Sequence, residues 1–486
     1  MTSSAIAPAK GVYIDNAWRP AHSGRVIPVV SPPDGIVFAE IAAGGPQDID
    51  AAVAAARKAV DEGPWGRMTA TERGRLLMRL ARLVDDRAEE LAALEARDTG
   101  KPMRLARGDI AVLARYFEYY GSAADKVHGE TIPFMDGYLV TTQWEPLGVT
   151  GHIIPWNYPA QMFGRTIAPA LAMGNATVVK PAEEACLVPL MMGELAAEAG
   201  FPAGVVNIVP GLGEEAGAAL SSHVGIDFIS FTGSPEVGVL VQQAAARNHI
   251  GCTLELGGKS PQVVFEDADF DAAVASVCNA IIQNSGQTCS AGARVLIQKS
   301  IWDRFTAALK TRFAGLKAGS PDMDLDLGPV ISAVQKQRIE GFLERAQAAG
   351  VPLIARGQIA EGAPEAGFYV APALFGPVSR SAELACEEVF GPVLAALPFE
   401  DEQDAISLAN ATPYGLVAGV WSGDGSRALR VARKIRAGQI FVNGYGAGGG
   451  VELPFGGMKK SGHGREKGFE ALFEVAALKT MVIKHG

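Results

Sequence analysis

The sequence predicts an α/β protein built on two doubly wound parallel sheets, with a smaller β-excursion. Three observations carry that expectation. At 486 residues the chain is too long for one hydrophobic core, which implies two or three domains. From Gly148 onward, short runs that are apolar throughout alternate with longer helical stretches, the pattern of strands covered on both faces. A hydrophobic content of 48% with 20% charged residues is that of a globular chain and excludes general disorder.

In chain order, residues 11–45 read as short strands and turns, with Val12-Tyr13-Ile14 before Asp15-Asn16 and 26–30 before Pro32-Pro33-Asp34-Gly35. Two helices follow, over 49–61 and, longer, over 70–96. Thr69 and Glu72 have capping-box spacing at the start of the second, and Leu76, Leu77, Leu80, Leu83 and Val84 recur at helical period. Gly100-Lys101-Pro102 stops it. A third helix over 105–127 carries Tyr116, Phe117, Tyr119 and Tyr120, a stripe that reads as core. Residues 131–144 alternate loosely, as either an arm toward another subunit or a surface hairpin would.

Strands then fall at 149–154, 177–179, 205–209, 226–231 and 253–256, with helices between them ending at Gly174-Asn175 and Gly200-Phe201-Pro202. These are βαβ units of a nucleotide-binding type, whose ligands lie beyond the carboxyl ends of the strands. A second alternation starts after Pro261. Its helices span 270–285, 301–316, 333–349, 402–409 and 426–436, and its strands 294–298, 393–398, 416–420 and 439–442. The end, 472–483, is again extended and is expected to return to the 128–147 region.

Composition narrows the function. A net charge of -10 disfavours nucleic acid as a partner. Five cysteines (Cys186, Cys252, Cys278, Cys289, Cys386) are widely spaced, so neither a disulfide framework nor a metal site is suggested. Residues 1–10 do not read as a signal peptide, and no apolar run of about 18 residues suggests a membrane span. The expectation is a cytoplasmic enzyme or binding protein.

Several short stretches carry chemistry. Cys289 sits in Gln283-Asn284-Ser285-Gly286-Gln287-Thr288-Cys289-Ser290-Ala291-Gly292, among small and polar residues. A buried inert cysteine favours an apolar run, whereas a reactive one needs access and polar neighbours. Asn157, between Pro155-Trp156 and Tyr158-Pro159, is held in a fixed loop where its amide can donate to an oxyanion. Glu255, between Leu254 and Leu256 at a strand end, is a carboxylate whose desolvation raises its pKa toward that of a general base.

Gly211-Leu212-Gly213 and its followers miss the dinucleotide fingerprint by one position and read as an ordinary turn. The turn Thr232-Gly233-Ser234-Pro235 is better placed. Gly233 permits a tight bend, Ser234 offers a hydroxyl, and the N–H groups of the helix that Pro235 opens form an anion site. In Lys180-Pro181-Ala182-Glu183, a carboxylate at the end of a parallel strand suits ribose hydroxyls and repels a 2′-phosphate, which favours NAD over NADP.

Together with Glu387-Glu388-Val389-Phe390-Gly391-Pro392 and the run 454–466, these motifs make the chain resemble the aldehyde dehydrogenase superfamily over nearly its whole length. The resemblance implies a Rossmann-like NAD-binding domain over 1–127 and 147–257, a catalytic domain over 258–455, and an oligomerisation arm over 128–146 and 468–486. It implies Cys289 as nucleophile on the aldehyde carbon, Asn157 with the Cys289 backbone N–H as oxyanion donors, and Glu255 as the base that activates water for thioester hydrolysis. It places Trp156, Lys180, Glu183, Gly233, Ser234, Glu388 and Phe390 around NAD, and Tyr158, Arg165 and Tyr445 around the substrate. A homotetramer, or a dimer, is implied, with no membrane or nucleic-acid partner.

Two positions vary from the family pattern. Thr166 stands where many members have a lysine that relays protons with the acid at Glu466, which is retained. Arg165 stands where many have tryptophan, and similar semialdehyde enzymes use an arginine there to bind a far carboxylate, although some aromatic aldehyde enzymes share it. Arg165 leads to the expectation of an aldehyde bearing an anionic or polar tail, while the glycine-rich loop 444–450 with Tyr445, which the resemblance places near the substrate entrance, weakly favours a bulky or aromatic one. A CoA-acylating relative and a catalytically silent one are the alternatives. Retained Glu255 speaks against the first, and intact Cys289, Glu255 and Asn157 against the second.

Overall fold

The structure, a computed structural model, describes residues 7–446 and 450–486. Part of the expected glycine loop, 447–449, lies outside the described residues.

The first sheet has eight strands. Its parallel centre runs Gly251–Glu255, Phe228–Thr232, Val149–Ile154, Ala176–Pro181, Val206–Ile208 in spatial order. These strands are apolar throughout because both faces are covered. One face packs Val149, Val178 and Ile229 against Ile49, Ala52 and Val53 of the helix Pro46–Asp61. The other packs Ile154, Val179 and Ile208 against the helices Ala70–Asp86, Met103–Ala123, Pro159–Met173 and Leu187–Ala199. The strand order reverses between Val149–Ile154 and Phe228–Thr232, and a doubly wound sheet opens its ligand crevice at such a reversal. At one edge the short strand Gly462–His463 pairs antiparallel with Gly251–Glu255.

The second sheet has seven strands, in the order Leu353–Arg356, Ala373–Phe375, Val393–Phe399, Arg294–Gln298, Pro261–Val264, Val417–Trp421, Gln439–Val442. All neighbours are parallel except the first pair. A third sheet forms where Ala476–Lys484 runs antiparallel along Tyr138–Pro146, as the two extended ends of the sequence anticipate. Leu478, Met481, Val482 and Ile483 are exposed on it.

Three elements differ from the sequence expectation. The long helix is two, Ala70–Asp86 and Ala88–Thr99, broken at Arg87 (φ -111, ψ 20), whose guanidinium takes both oxygens of Glu90 at 2.8 Å. Each half keeps its own leucine stripe, so helical period alone carries no mark of the break. The helix expected over 270–285 ends at Ile282, because Asn284 and Ser285 adopt left-handed backbone (φ 49 and 56). Pro261–Val264, read as a boundary, is a central strand of the second sheet. Among the described residues, no helix is long and apolar enough to cross a membrane, and no group of His, Cys, Asp or Glu could hold a metal ion.

Candidate active site

Cys289 is set by an unusual turn. Asn284, Ser285 and Gly286 (φ 74) are all left-handed, a conformation that costs a non-glycine residue free energy unless its surroundings hold it. They are held. Asn284 Nδ2 donates to the Asn157 carbonyl at 2.8 Å, and Ser285 Oγ donates to the Gly328 carbonyl at 2.8 Å. Gly286 must be glycine on space as well, since a Cβ would run into the Gly391 backbone. The turn delivers Cys289 to a cavity of about 650 Å³ whose walls include Tyr116, Tyr158, Arg165, Phe441, Tyr445 and Phe455. Cys289 packs against Leu416, Val417 and Phe455. Burial pushes its thiol up to about 12, against the opposing pull of Arg165. At neutral pH the thiol is therefore protonated and needs a proton acceptor before it can attack.

Asn157 follows the strand Val149–Ile154. Its Nδ2 donates to the Gln287 carbonyl at 3.0 Å, which ties it to the cysteine loop and leaves its second N–H for another acceptor. Its own carbonyl accepts from Lys101 Nζ at 3.2 Å. Lys101 is fully buried, pairs with Glu95 at 3.2 Å and with Asp109, and lies 4.6 Å from the Tyr158 ring centre. Sequence reasoning read Lys101 only as part of a helix stop. The missed signal is three acids, Glu95, Asp98 and Asp109, set on the faces of their helices that otherwise bury leucine, isoleucine and alanine.

Glu255 ends the strand Gly251–Glu255 and is 1% exposed. Burial pushes its carboxyl up to about 8, against the pull of Arg165. That is the desolvation the two flanking leucines anticipate.

Arg165 faces the cavity and two of the protein's own acids. Its Nε lies 2.6 Å from Glu466 Oε2, its NH2 lies 3.4 Å from Glu255 Oε2, and its guanidinium sits 4.4 Å from the Phe455 ring centre. The guanidinium thus meets two protein carboxylates as well as the cavity. Thr166 turns its hydroxyl back to the Met162 carbonyl at 3.0 Å, while Glu466 accepts from Ser230 Oγ at 2.9 Å.

Tyr158 donates to, or accepts from, Thr288 Oγ1 at 2.8 Å. Tyr445, expected at the substrate entrance, stands beside the nucleophile, packing near Cys289 and donating to the Ser290 carbonyl at 2.7 Å.

The candidate cofactor residues lie on neighbouring strand ends of the first sheet or face them. Lys180 Nζ holds Glu183 Oε2 at 2.7 Å. Ser234 caps the helix Pro235–Arg247, its Oγ accepting from the Val237 N–H at 3.3 Å, and Gly233 precedes it in the turn. The Trp156 and Phe390 rings meet edge-on at 5.5 Å, with Phe390 held at φ 57. Glu388 Oε1 accepts from the Gly258 N–H at 2.8 Å, and burial pushes its carboxyl up to about 7. A Cβ on Gly257 would collide with that carboxylate.

Two parallel sheets, a crevice at a strand reversal, and a thiol, an amide and a desolvated carboxylate brought to one place match a known architecture. The model of the aldehyde dehydrogenase family matches residues 18–481. Retinal dehydrogenase 2 of Homo sapiens is 44% identical over 477 residues, covering 97% of this chain and 91% of that one. A crystal structure of a Burkholderia cenocepacia protein superposes with a TM-score of 0.97 at 61% identity, covering 98% and 100% of the two chains. The NAD+ complex of aldehyde dehydrogenase from Bacillus cereus does so with a TM-score of 0.95 at 39% identity, covering 98% and 97%. The chain belongs to the aldehyde dehydrogenase family.

Proposed function

We propose that the protein oxidises an aldehyde to the carboxylic acid with NAD, hydrolysing a Cys289 thioester with water. The observation that carries this reading is that the Asn157 amide is tied to the Cys289 loop at Gln287 with one N–H to spare, while Glu255, raised toward neutrality by burial, lies close enough for its charge to act on the Cys289 thiol.

Cys289 Sγ bonds to the aldehyde carbon as its proton passes to solvent water, and the proton Glu255 later takes from the hydrolytic water returns to the sulfur. The carbonyl oxygen gains negative charge, which the Asn157 amide and the Cys289 backbone N–H are suited to receive. When bound, NAD supplies acceptance of the hydride that leaves that carbon, and a thioester on Cys289 remains. Glu255 then takes a proton from water, the water oxygen bonds to the acyl carbon, and the C–S bond breaks. The acid departs and Cys289 regains its proton.

The cofactor residues fit NAD. The Glu183 carboxylate beside Lys180 suits adenosine ribose hydroxyls and disfavours a 2′-phosphate. The N-terminus of Pro235–Arg247 behind Ser234 suits a pyrophosphate. Glu388, with Trp156 and Phe390, suits the nicotinamide riboside. We assign this binding to residues 1–127 with 147–257, catalysis to 258–455, and assembly into a homotetramer to the arm of 128–146 with 468–486. The exposed apolar side chains of Ala476–Lys484 support the last of these.

For the substrate, the cavity favours a bulky or aromatic aldehyde over a semialdehyde acid. Tyr116, Tyr158, Phe441, Tyr445 and Phe455 line it, and Arg165 is engaged by the protein's own acids. The test is a panel of aldehydes scored by NADH formation with NAD or NADP, with and without CoA. We expect benzaldehyde to exceed 4-oxobutanoate in kcat/KM, NAD to exceed NADP, and free acid to form whether or not CoA is present. Acyl-CoA as the product would overturn the hydrolytic reading, and a reversed aldehyde ranking would overturn the substrate reading.

A further inference from the structure

We propose that Arg165 is a positioning residue for the hydrolytic half of the reaction: its guanidinium gathers Glu255 and Glu466 beside Cys289 and does not read the far end of the substrate. The proposal rests on Glu255 being the water-activating base described above.

Four observations carry it. Arg165 stands 3.4 Å from one carboxylate and 2.6 Å from the other, with its side chain 8% exposed and theirs 1% and 6%. Phe455 lies against the guanidinium, so an aromatic face and two carboxylates fix its position together. Glu466 is itself anchored by Ser230 from the strand Phe228–Thr232, which gives the arginine one fixed acid to hold against. Thr166, the neighbouring candidate for contact with Glu466, spends its hydroxyl on its own helix.

A small void of about 20 Å³ lies alongside, lined by His152, Arg165, Thr166, Ser230 and Glu466 among others. Arg165 therefore forms part of both the wall of the substrate cavity and the wall of this interior space.

The charges that act on Glu255 come from three directions. Arg165 comes from the helix Pro159–Met173, Arg465, Glu466 and Lys467 come from the C-terminal segment, and the Cys289 thiol comes from the nucleophile loop. Arg165 is the largest of the influences that favour the carboxylate form, and Glu466 opposes it. Removing the guanidinium must therefore raise the pH at which Glu255 becomes a base, and neutralising Glu466 must lower it.

The test uses the full-length enzyme with NAD+ and either propanal or 4-oxobutanoate, measuring the first-turnover burst of NADH and the steady-state rate across pH. In Arg165→Met we expect the burst to persist and steady-state kcat to fall by about tenfold or more with both aldehydes, the scale of a misplaced general base. We also expect the rising limb of kcat to move to higher pH, Arg165→Lys to recover part of both losses, and Glu466→Gln to move the limb to lower pH. If Arg165→Met does not fold, Arg165→Lys and Glu466→Gln carry the same opposite shifts. A rise in KM confined to 4-oxobutanoate, with kcat and its pH limb unchanged, would overturn the proposal, as would a lower kcat with an unmoved limb. Glu255→Gln separates the two readings. Full steady-state turnover in that variant sinks the base assignment itself, whereas a burst without turnover, together with an unmoved limb in Arg165→Met, sinks only the role given to Arg165.

Discussion

Two buried clusters border the cavity of Cys289, and each sets one cation between two carboxylates. In the first, Lys101 donates to Glu95, Asp109 and the Asn157 carbonyl, and Gln161 Nε2 adds a 2.6 Å bond to Asp109. In the second, Arg165 approaches Glu255 and Glu466 at ion-pair distance, yet neither contact has hydrogen-bond alignment, and among the described residues neither Glu255 oxygen accepts a hydrogen bond. The difference separates structure from chemistry. A cation whose hydrogen bonds are made holds a loop. A carboxylate whose acceptors are unspent, beside a nucleophile, is left for water.

The largest test of that contrast is Lys101→Met. Leaving Glu95 and Asp109 buried without their cation should cost about 3–5 kcal/mol, read as a lower urea midpoint of unfolding. An unchanged midpoint with a lower kcat would make this cluster chemical too. Next, Asn157→Ala should lower kcat by about 10²–10³-fold, while the unfolding midpoint stays near that of the parent. A large drop in midpoint would show that Asn157 serves the loop more than the oxyanion.

Acidity gives a third test, read as stability in one cluster and as turnover in the other. Burial pushes Glu95 up to about 7, with Lys101 opposing. A carboxyl whose folded pKa is raised contributes stability that is present at low pH and lost as pH rises through the folded value. Stability should thus decline as pH rises through about 7, and Glu95→Gln should flatten that decline. Turnover should instead rise with pH through about 8 as Glu255 ionises. Parallel curves would dissolve the distinction. The smallest effect is Tyr158→Phe, which removes one hydroxyl contact with Thr288 and should cost about 0.5–1.5 kcal/mol in the unfolding midpoint or in KM.

How far the sequence reaches differs between these clusters. Glu255 is legible because a carboxylate between two leucines at a strand end is anomalous within three residues. Ser234-Pro235 is legible because a cap and a first-turn proline are local signals. The parallel strands declare themselves by apolar runs that only a doubly covered sheet requires. Lys101 is illegible because its partners include a backbone carbonyl far along the chain, and a lysine between Gly100 and Pro102 looks like a surface helix end. The surroundings of Cys289 are only partly legible for the same reason, since Thr288 and Ser290 share its cavity but the apolar contacts come from Leu416, Val417 and Phe455, far along the chain. The engagement of Arg165 depends on Glu255 and Glu466, which only the folded sheets bring near it. The left-handed turn did leave a trace, because Asn-Ser-Gly after a helix is a stop signal that was read as continued helix.

The strand pairing of Glu255 with Gly462, and of Leu254 with His463, has a consequence for synthesis. Glu255 gains its edge partner, and Glu466 that shares Arg165 with it, from residues made some two hundred positions later. A ribosome delivers the Asn157 loop and Cys289 before those residues emerge, and domains generally fold as they appear. A nascent chain can therefore shape the Cys289 turn before Gly462–His463 is there to pair beside Glu255.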